Sequence, residues 1–199
     1  IAITTVVFNR SALLFAGEDG VAAVSIIMYL QFLCIGIYFG FSMGLSTPLG
    51  YAYGDRNFSV CRVLEKYAYR FFSIAPIILY GCTYLLAPIG VRFFASPGST
   101  VFDMAVSGLR LYGLGFLFSG INIFAAIRMM TYGKGYISGI ITFLRSFALL
   151  LLFLTVLPRF LELNGIWLAV PAAEILTLIV ALWTLRKKTV AKKHLLKEN

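Results

Sequence analysis

The stretch VAAVSIIMYLQFLCIGIYFGFSMGLSTPLGYAYG, residues 21–54, decides the fold class because it holds no charged side chain. A helix needs about 20 predominantly apolar residues to span the hydrocarbon core of a bilayer. A membrane β-strand has only about ten residues and alternates in polarity, and this stretch does not alternate. The stretch therefore predicts a transmembrane helix over residues 21–47.

Further apolar blocks lie on both sides of this stretch. The six predicted spans are residues 1–16, 21–47, 71–91, 105–127, 137–157 and 165–185. Glu18-Asp19-Gly20 predicts a turn between the first two spans. The chain is 60% hydrophobic and 13% charged, whereas a soluble domain is about 25% charged. We predict an all-α integral membrane fold, a bundle of six helices. The short first block and the initial Ile1 suggest a fragment of a longer protein.

The basic residues predict how the chain is oriented in the membrane. Twelve of them fall on one predicted side and two on the other. The twelve are Arg56, Arg62, Lys66, Arg70, Arg128, Lys134, Arg186, Lys187, Lys188, Lys192, Lys193 and Lys197, and the two are Arg92 and Arg159. Cytoplasmic loops carry the excess of Lys and Arg. The sequence therefore predicts a cell-membrane protein whose basic tail, residues 186–199, is cytoplasmic and contacts anionic lipid.

An amphipathic segment precedes the third span. Its apolar residues recur at helical spacing between polar ones, which predicts a short helix on the cytoplasmic membrane surface that runs into the third span. The predicted apolar face is Val60, Leu64, Tyr67, Ala68 and Phe71, and the predicted polar face is Arg62, Glu65, Lys66 and Tyr69.

Two charges inside predicted spans are the strongest functional candidates, because intramembrane charges are costly and often mark a transport pathway. Arg145 lies in the fifth span and Glu174 in the sixth. A short loop joins these antiparallel helices, and the long Arg side chain can cover the difference in depth, so we predict an Arg145–Glu174 pair. The pair is either a static link between two helices or a titratable carboxylate that changes charge during transport.

Uncharged and flanking polar residues are weaker candidates. Asn9, Arg10, Gln31, Tyr38 and Asn122 are the candidates for cavity lining or substrate contact. Arg10 has the alternative of reaching the membrane interface with its long side chain. The asparagine and glutamine side chains have the alternative of hydrogen bonding between helices.

Small residues mark the second span. Gly36, Gly40 and Gly44 recur every four residues, and such a stripe permits close approach of another helix. Pro48 removes a backbone donor, so we predict that the helix bends or ends there. Tight packing and a bending element for gating are the two interpretations, and Pro76 and Pro88 in the third span are similar candidates.

Several function classes find no support in the sequence. Cys34, Cys61 and Cys82 are far apart, and the chain has one His, so neither a disulfide framework nor a metal site is predicted. The chain has no phosphate-binding GxxxxGK[ST] loop, no HExxH and no GxSxG. The net charge of +9 lies mainly between and after apolar blocks, so membrane lipid rather than nucleic acid is the predicted partner. We predict that the chain is not an enzyme and needs no cofactor.

Three stretches resemble the multidrug and toxic compound extrusion (MATE) transporters of the multidrug/lipid/polysaccharide exporter group. The first is NRSALLFAG, residues 9–17, followed by VAAVSI, residues 21–26. The second is GFSMGLSTPLGYAYGDRN, residues 40–57, similar to a family run at the cytoplasmic end of a helix. The third is LRS, residues 144–146, with LNGIWLAVPAAE, residues 163–174, similar to the closing helix pair of bacterial members.

The resemblance implies a lobe of a larger transporter. Family members have twelve helices in two pseudo-symmetric lobes around a central cavity, and this chain would be the second lobe. They export cationic or amphipathic compounds in exchange for protons or sodium ions. Some members hold a cation with a Glu in helix seven and an Asp in helix ten. The first and fourth blocks here contain no acid within the span, and Asp103 lies at the outer edge of the fourth, so a sodium site of that type is not predicted.

The sequence thus predicts the second half of an ion-coupled antiporter, with a proton or sodium ion as the coupling ion. Its predicted partners are membrane lipid, the other six-helix lobe and a small organic cation. One alternative is a flippase for lipid-linked oligosaccharides, which would use Arg10, Arg110 and Arg145 to hold lipid phosphate. Alternatives of other classes are a six-helix scaffold or receptor subunit and a membrane-embedded enzyme, for which no polar catalytic cluster is present.

Overall fold

The computed structural model describes residues 2–186, and all regular structure within them is helical. The predicted basic tail beyond residue 186 lies outside the described residues. The elements are α1 (Ala2–Gly54), α2 (Phe58–Arg92), α3 (Thr100–Gly113), α4 (Phe116–Thr131), α5 (Gly135–Phe143), a π-turn (Leu144–Ala148), α6 (Leu149–Val156) and α7 (Pro158–Arg186). Each of the six predicted apolar blocks contains helix in its described residues, and the fourth is interrupted at residues 114–115 between α3 and α4.

A sharp corner divides α1 into two arms. Gly17 has φ 61° and ψ −152°, a conformation that favours glycine because a Cβ atom clashes there. A Cβ on Gly20 would lie 2.8 Å from Ala12 O, so the arms meet closely. The turn predicted at Glu18-Asp19-Gly20 is therefore wrong in position, since those residues already form the second helical arm.

Pro48 does not end the second arm, which continues to Gly54. Of the two outcomes predicted at Pro48, a bend or an end, the end is therefore wrong, and the helix runs past the predicted span of residues 21–47. Leu49 and Ala52 are buried in a cluster with Met129 and Ile141 of other helices. This packing holds the last turns of the arm in place although Pro48 donates no backbone hydrogen bond.

The amphipathic segment and the third span form one continuous helix, α2. Asn57 caps it by accepting a hydrogen bond from Val60 N. The buried face consists of Cys61, Glu65, Ala68 and Phe72. The predicted faces are wrong at three positions, since Val60 and Tyr67 are exposed and Glu65 is buried. Ala68 is buried as predicted, and Arg62 and Lys66 are exposed as predicted. Tertiary packing rather than average polarity decides which residues turn inward.

The centre of the bundle is α4, which packs against α1, α2, α5 and α7. It follows α3 after a bend of 50°, and the two together have the length and composition of one span. Among the described residues, α1, α2, α5 with α6, and α7 are also long and apolar enough to cross a membrane. The core contains large side chains from α1, α4 and α7, including Tyr38, Phe124 and Trp167.

Candidate functional site

A cluster of polar side chains lies inside the bundle, between α4, α7 and the π-turn. Arg145 projects from the π-turn, and its Nε donates a hydrogen bond to Glu174 Oε1 on α7 at 2.7 Å. The Glu174 residue is only 4% exposed. The structure thus brings together the two charges that the sequence singled out inside apolar spans.

The local backbone explains how these two side chains meet. Within the π-turn the N–H of Leu149 bonds to the carbonyl of Leu144, which is a wider turn than in an α-helix, and such turns are frequent at functional sites. On the facing helix, α7, Glu174 lies less than one helical turn after Pro171. A Cβ on Gly115 would lie 3.2 Å from Val170 Cγ1, so the bend between α3 and α4 packs directly against this part of α7.

Asn122 completes the surroundings of the carboxylate. It is 0% exposed, and its Nδ2 donates to Glu174 Oε2 at 2.7 Å and to the Glu174 backbone carbonyl at 2.9 Å. Both carboxylate oxygens therefore receive a donor, which is the condition under which a buried ion pair is tolerated. Asn122 Oδ1 has no hydrogen-bond partner among the described residues.

A cavity of about 230 Å³ borders this cluster. Its polar wall consists of Thr4, Gln31, Tyr112, Ser119, Arg145, Ser146 and Glu174. The Tyr112 hydroxyl donates to Gln31 Oε1, which joins α3 to α1. The cavity therefore combines one fixed cation, one carboxylate and several neutral hydrogen-bonding groups, and it can bind a small polar or charged group.

The other predicted site residues lie elsewhere. Tyr38 is buried in the core, where its hydroxyl donates to Phe116 O at 2.9 Å, so it does not line the cavity in this conformation. Asn9 and the exposed Arg10 line a separate open depression with Glu18. Arg110, a candidate for phosphate binding, donates to Tyr84 O at 3.2 Å and lies over the Tyr84 ring.

The small-residue stripe is not a packing surface within the described residues. A Cβ added at Gly36, Gly40 or Gly44 would meet nothing within 4 Å. The close helix contact predicted there is therefore absent from this part of the chain, because the stripe lies on the exposed side of the second arm of α1.

A second buried charge cluster was missed by the sequence reasoning. Arg128 Nε lies 2.5 Å from Glu65 Oε1, and the Tyr132 hydroxyl donates to the same oxygen at 2.6 Å. Arg128 is 1% exposed. Burial, followed by the hydrogen bond to Glu65, raises the pKa of Tyr132. The one available signal was that Glu65 is the sole acid between Arg56 and Phe102 among several cations.

A family model described as MatE matches residues 2–157 of the chain. The chain belongs to the MatE family. No curated protein sequence matches it significantly. The family resemblance seen in the sequence is thus confirmed.

Solved transporter structures match this MatE chain in fold. An outward-facing multidrug resistance MATE family transporter of the MOP superfamily matches with a TM-score of 0.86 and 23% identity, over 96% of this chain and 44% of that one. The inward-facing form of such a transporter matches with 0.87 and 22%, over 96% and 45%. A MOP superfamily transporter from Pyrococcus furiosus matches with 0.85 and 22%, over 96% and 43%.

These matches confirm the all-helical membrane fold. The MatE chain spans less than half the length of the transporters that it matches. It therefore corresponds to one half of their architecture, as the sequence predicted. Because these structures are only 22–23% identical to the chain, the matches establish its fold alone. The function depends on the side chains that this chain itself places in the site.

Proposed function

We propose that this chain forms one lobe of an ion-coupled exporter of cationic or amphipathic compounds, in which Glu174 is the coupling carboxylate of the lobe. The observation that carries the proposal is the Glu174 carboxylate, buried inside an apolar bundle yet bordering a cavity. The family and the fold support the transporter class. The other six-helix lobe is the partner that the length difference calls for, and proton or sodium is the coupling ion.

The geometry supports a role for Glu174 beyond linking two helices. In the observed arrangement its charge is balanced by Arg145. When a proton or another cation neutralises the carboxylate, Arg145 loses its counter-charge and the cavity gains a net positive charge. Such a change favours release of a cationic compound, so ion binding and substrate binding become mutually exclusive. A ligand shifts a conformational equilibrium only through such differences in interaction energy.

The flippase alternative receives less support from the structure. It relies on cations that are free to hold lipid phosphate. Of the three cations named for it, Arg145 is already paired with Glu174 and Arg110 is held by Tyr84. Only Arg10 is exposed in an open depression, and that depression is separate from the cavity beside Glu174. We also propose that the basic end of the chain faces the cytoplasm, as the distribution of Lys and Arg indicates.

Transport by the full-length protein in proteoliposomes tests the proposal. Export of a fluorescent organic cation is followed under an imposed proton gradient and, separately, under a sodium gradient. We expect Glu174→Gln to reduce gradient-driven export to the level of empty liposomes because the neutral amide cannot exchange its charge. The ion whose gradient drives the wild-type protein is the coupling ion.

The matched control is Asp103→Asn, which neutralises an exposed acid on α3 away from the cavity. We expect it to transport normally. Thermal unfolding of each variant in detergent establishes that it is folded. Wild-type export by a folded Glu174→Gln variant would show that the ion pair only fixes α7 to the π-turn.

A further inference from the structure

The first half of α2 carries three exposed cations on one face. Arg62, Lys66 and Arg70 are four residues apart, so their side chains lie one above another on the helix at intervals of about 6 Å. They line an open groove of about 590 Å³ together with Tyr69, Ser73 and Ile74. We call this set the α2 groove.

The α2 groove keeps its positive charge although Glu65 also borders it. The Glu65 carboxylate is turned inward, where it is held by Arg128 at 2.5 Å and by the Tyr132 hydroxyl. Its charge is therefore balanced by Arg128 and does not neutralise the exposed cations. Glu65 thus shares α2 with the cations of the groove but pairs with Arg128 of α4.

The position of the groove along α2 places it at a membrane surface. Residues 74–91 contain no charged side chain and extend about 27 Å at about 1.5 Å per residue. This length matches the hydrocarbon core of about 30 Å. Arg70 therefore lies about one turn outside the core, and Lys66 lies in the adjoining head-group layer.

The lining of the groove changes from charged to apolar toward the membrane. Ile74 is 59% exposed at its inner end. The Tyr69 ring packs edge-on against Phe124 with centroids 5.8 Å apart, and tyrosine is typical of the membrane interface. A phospholipid has the same order of parts, with a charged head group outside and acyl chains inside.

We propose that the α2 groove binds one anionic phospholipid, whose phosphate contacts Lys66 and Arg70 and whose acyl chain lies along Tyr69 and Ile74. Charge complementarity selects an anionic head group over a zwitterionic one. The apolar inner end selects a lipid over a free phosphate ion. The site does not depend on the transport role proposed for Glu174.

Native mass spectrometry of the delipidated full-length protein tests the site by titration with phosphatidylglycerol and with phosphatidylcholine. We expect the wild-type protein to prefer phosphatidylglycerol. In the triple variant Arg62→Gln, Lys66→Gln, Arg70→Gln, we expect the affinity for phosphatidylglycerol relative to phosphatidylcholine to fall by about fivefold for each cation removed. The matched control Arg56→Gln, Arg92→Gln, Arg159→Gln removes the same number of exposed cations elsewhere and keeps the preference.

Two further measurements keep the test decisive. The variant Arg62→Lys, Arg70→Lys retains the charges and is expected to retain the preference. The single variant Lys66→Gln is expected to lose about fivefold and serves if the triple variant does not fold. A triple variant with the wild-type preference would overturn the proposal, because the three cations would then not select the head group. Complete displacement of the lipid by millimolar inorganic phosphate would also overturn it.

Discussion

Replacing Glu65 with alanine removes the carboxylate that pairs with the buried guanidinium of Arg128. The two side chains are 2.5 Å apart, with side-chain exposures of 1% for Arg128 and 9% for Glu65. The Tyr132 hydroxyl loses its acceptor in the same step. Breaking a buried ion pair by removing one partner costs about 3–5 kcal/mol, because the remaining charge is uncompensated. We therefore expect Glu65→Ala to lower the free energy of unfolding by about that amount.

Equilibrium unfolding of the full-length protein in mixed micelles, with increasing denaturing detergent, measures this loss. The exposed acid Glu18 provides the matched control, and Glu18→Ala should change the free energy of unfolding by no more than about 0.5 kcal/mol. The double variant Glu65→Ala, Arg128→Met should recover most of the loss because the buried guanidinium is removed together with its partner.

Equal stability of Glu65→Ala and Glu18→Ala would refute this reasoning. It would mean that Arg128 reaches water or another counter-charge when Glu65 is absent. A double variant as unstable as Glu65→Ala alone would refute it as well, since the loss would then come from the cavity left by the side chain and not from the unpaired charge.

Two further changes should lower the free energy of unfolding in the same detergent titration. A Cβ on Gly108 would lie 2.8 Å from Trp167 Cε2, so Gly108→Ala should cost about 1–3 kcal/mol by overpacking, whereas Gly81→Ala, with nothing within 4 Å, should not. Asn122→Ala removes the donor to Glu174 Oε2 and should cost about 1–3 kcal/mol. A loss below about 0.5 kcal/mol for either variant would contradict the packing or the hydrogen bond described.

The features that the sequence predicted are those with a local signal. Each apolar block is long enough to identify a span by itself, so the helical membrane fold follows from composition and length. Arg145 and Glu174 stand out because each is a charge in an otherwise apolar span. Their contact follows from the short connection between two antiparallel helices, which limits the possible partners of each residue.

The features that the sequence did not predict depend on contacts between distant segments. Glu65 and Arg128 lie near the ends of helices, where charges are common and usually exposed. Nothing in either segment indicates that they face each other. The hydrogen bonds of Asn122 to Glu174 and of Tyr112 to Gln31 are of the same kind. The corner at Gly17 was misplaced because the acids that follow it are also typical of the first turn of a helix.

The π-turn at Leu144–Ala148 also affects how this chain is compared with its relatives. A π-turn closes its hydrogen bond over one more residue than an α-turn, so the two halves of the span are offset by about 100° around the axis. An alignment to a relative with an uninterrupted α-helix must therefore open a one-residue gap within residues 144–148. Without the gap, every residue on one side of the π-turn is aligned one position out of register and so with a residue on a different face of the helix. The residue aligned with Arg145 would then be one position away from its true equivalent.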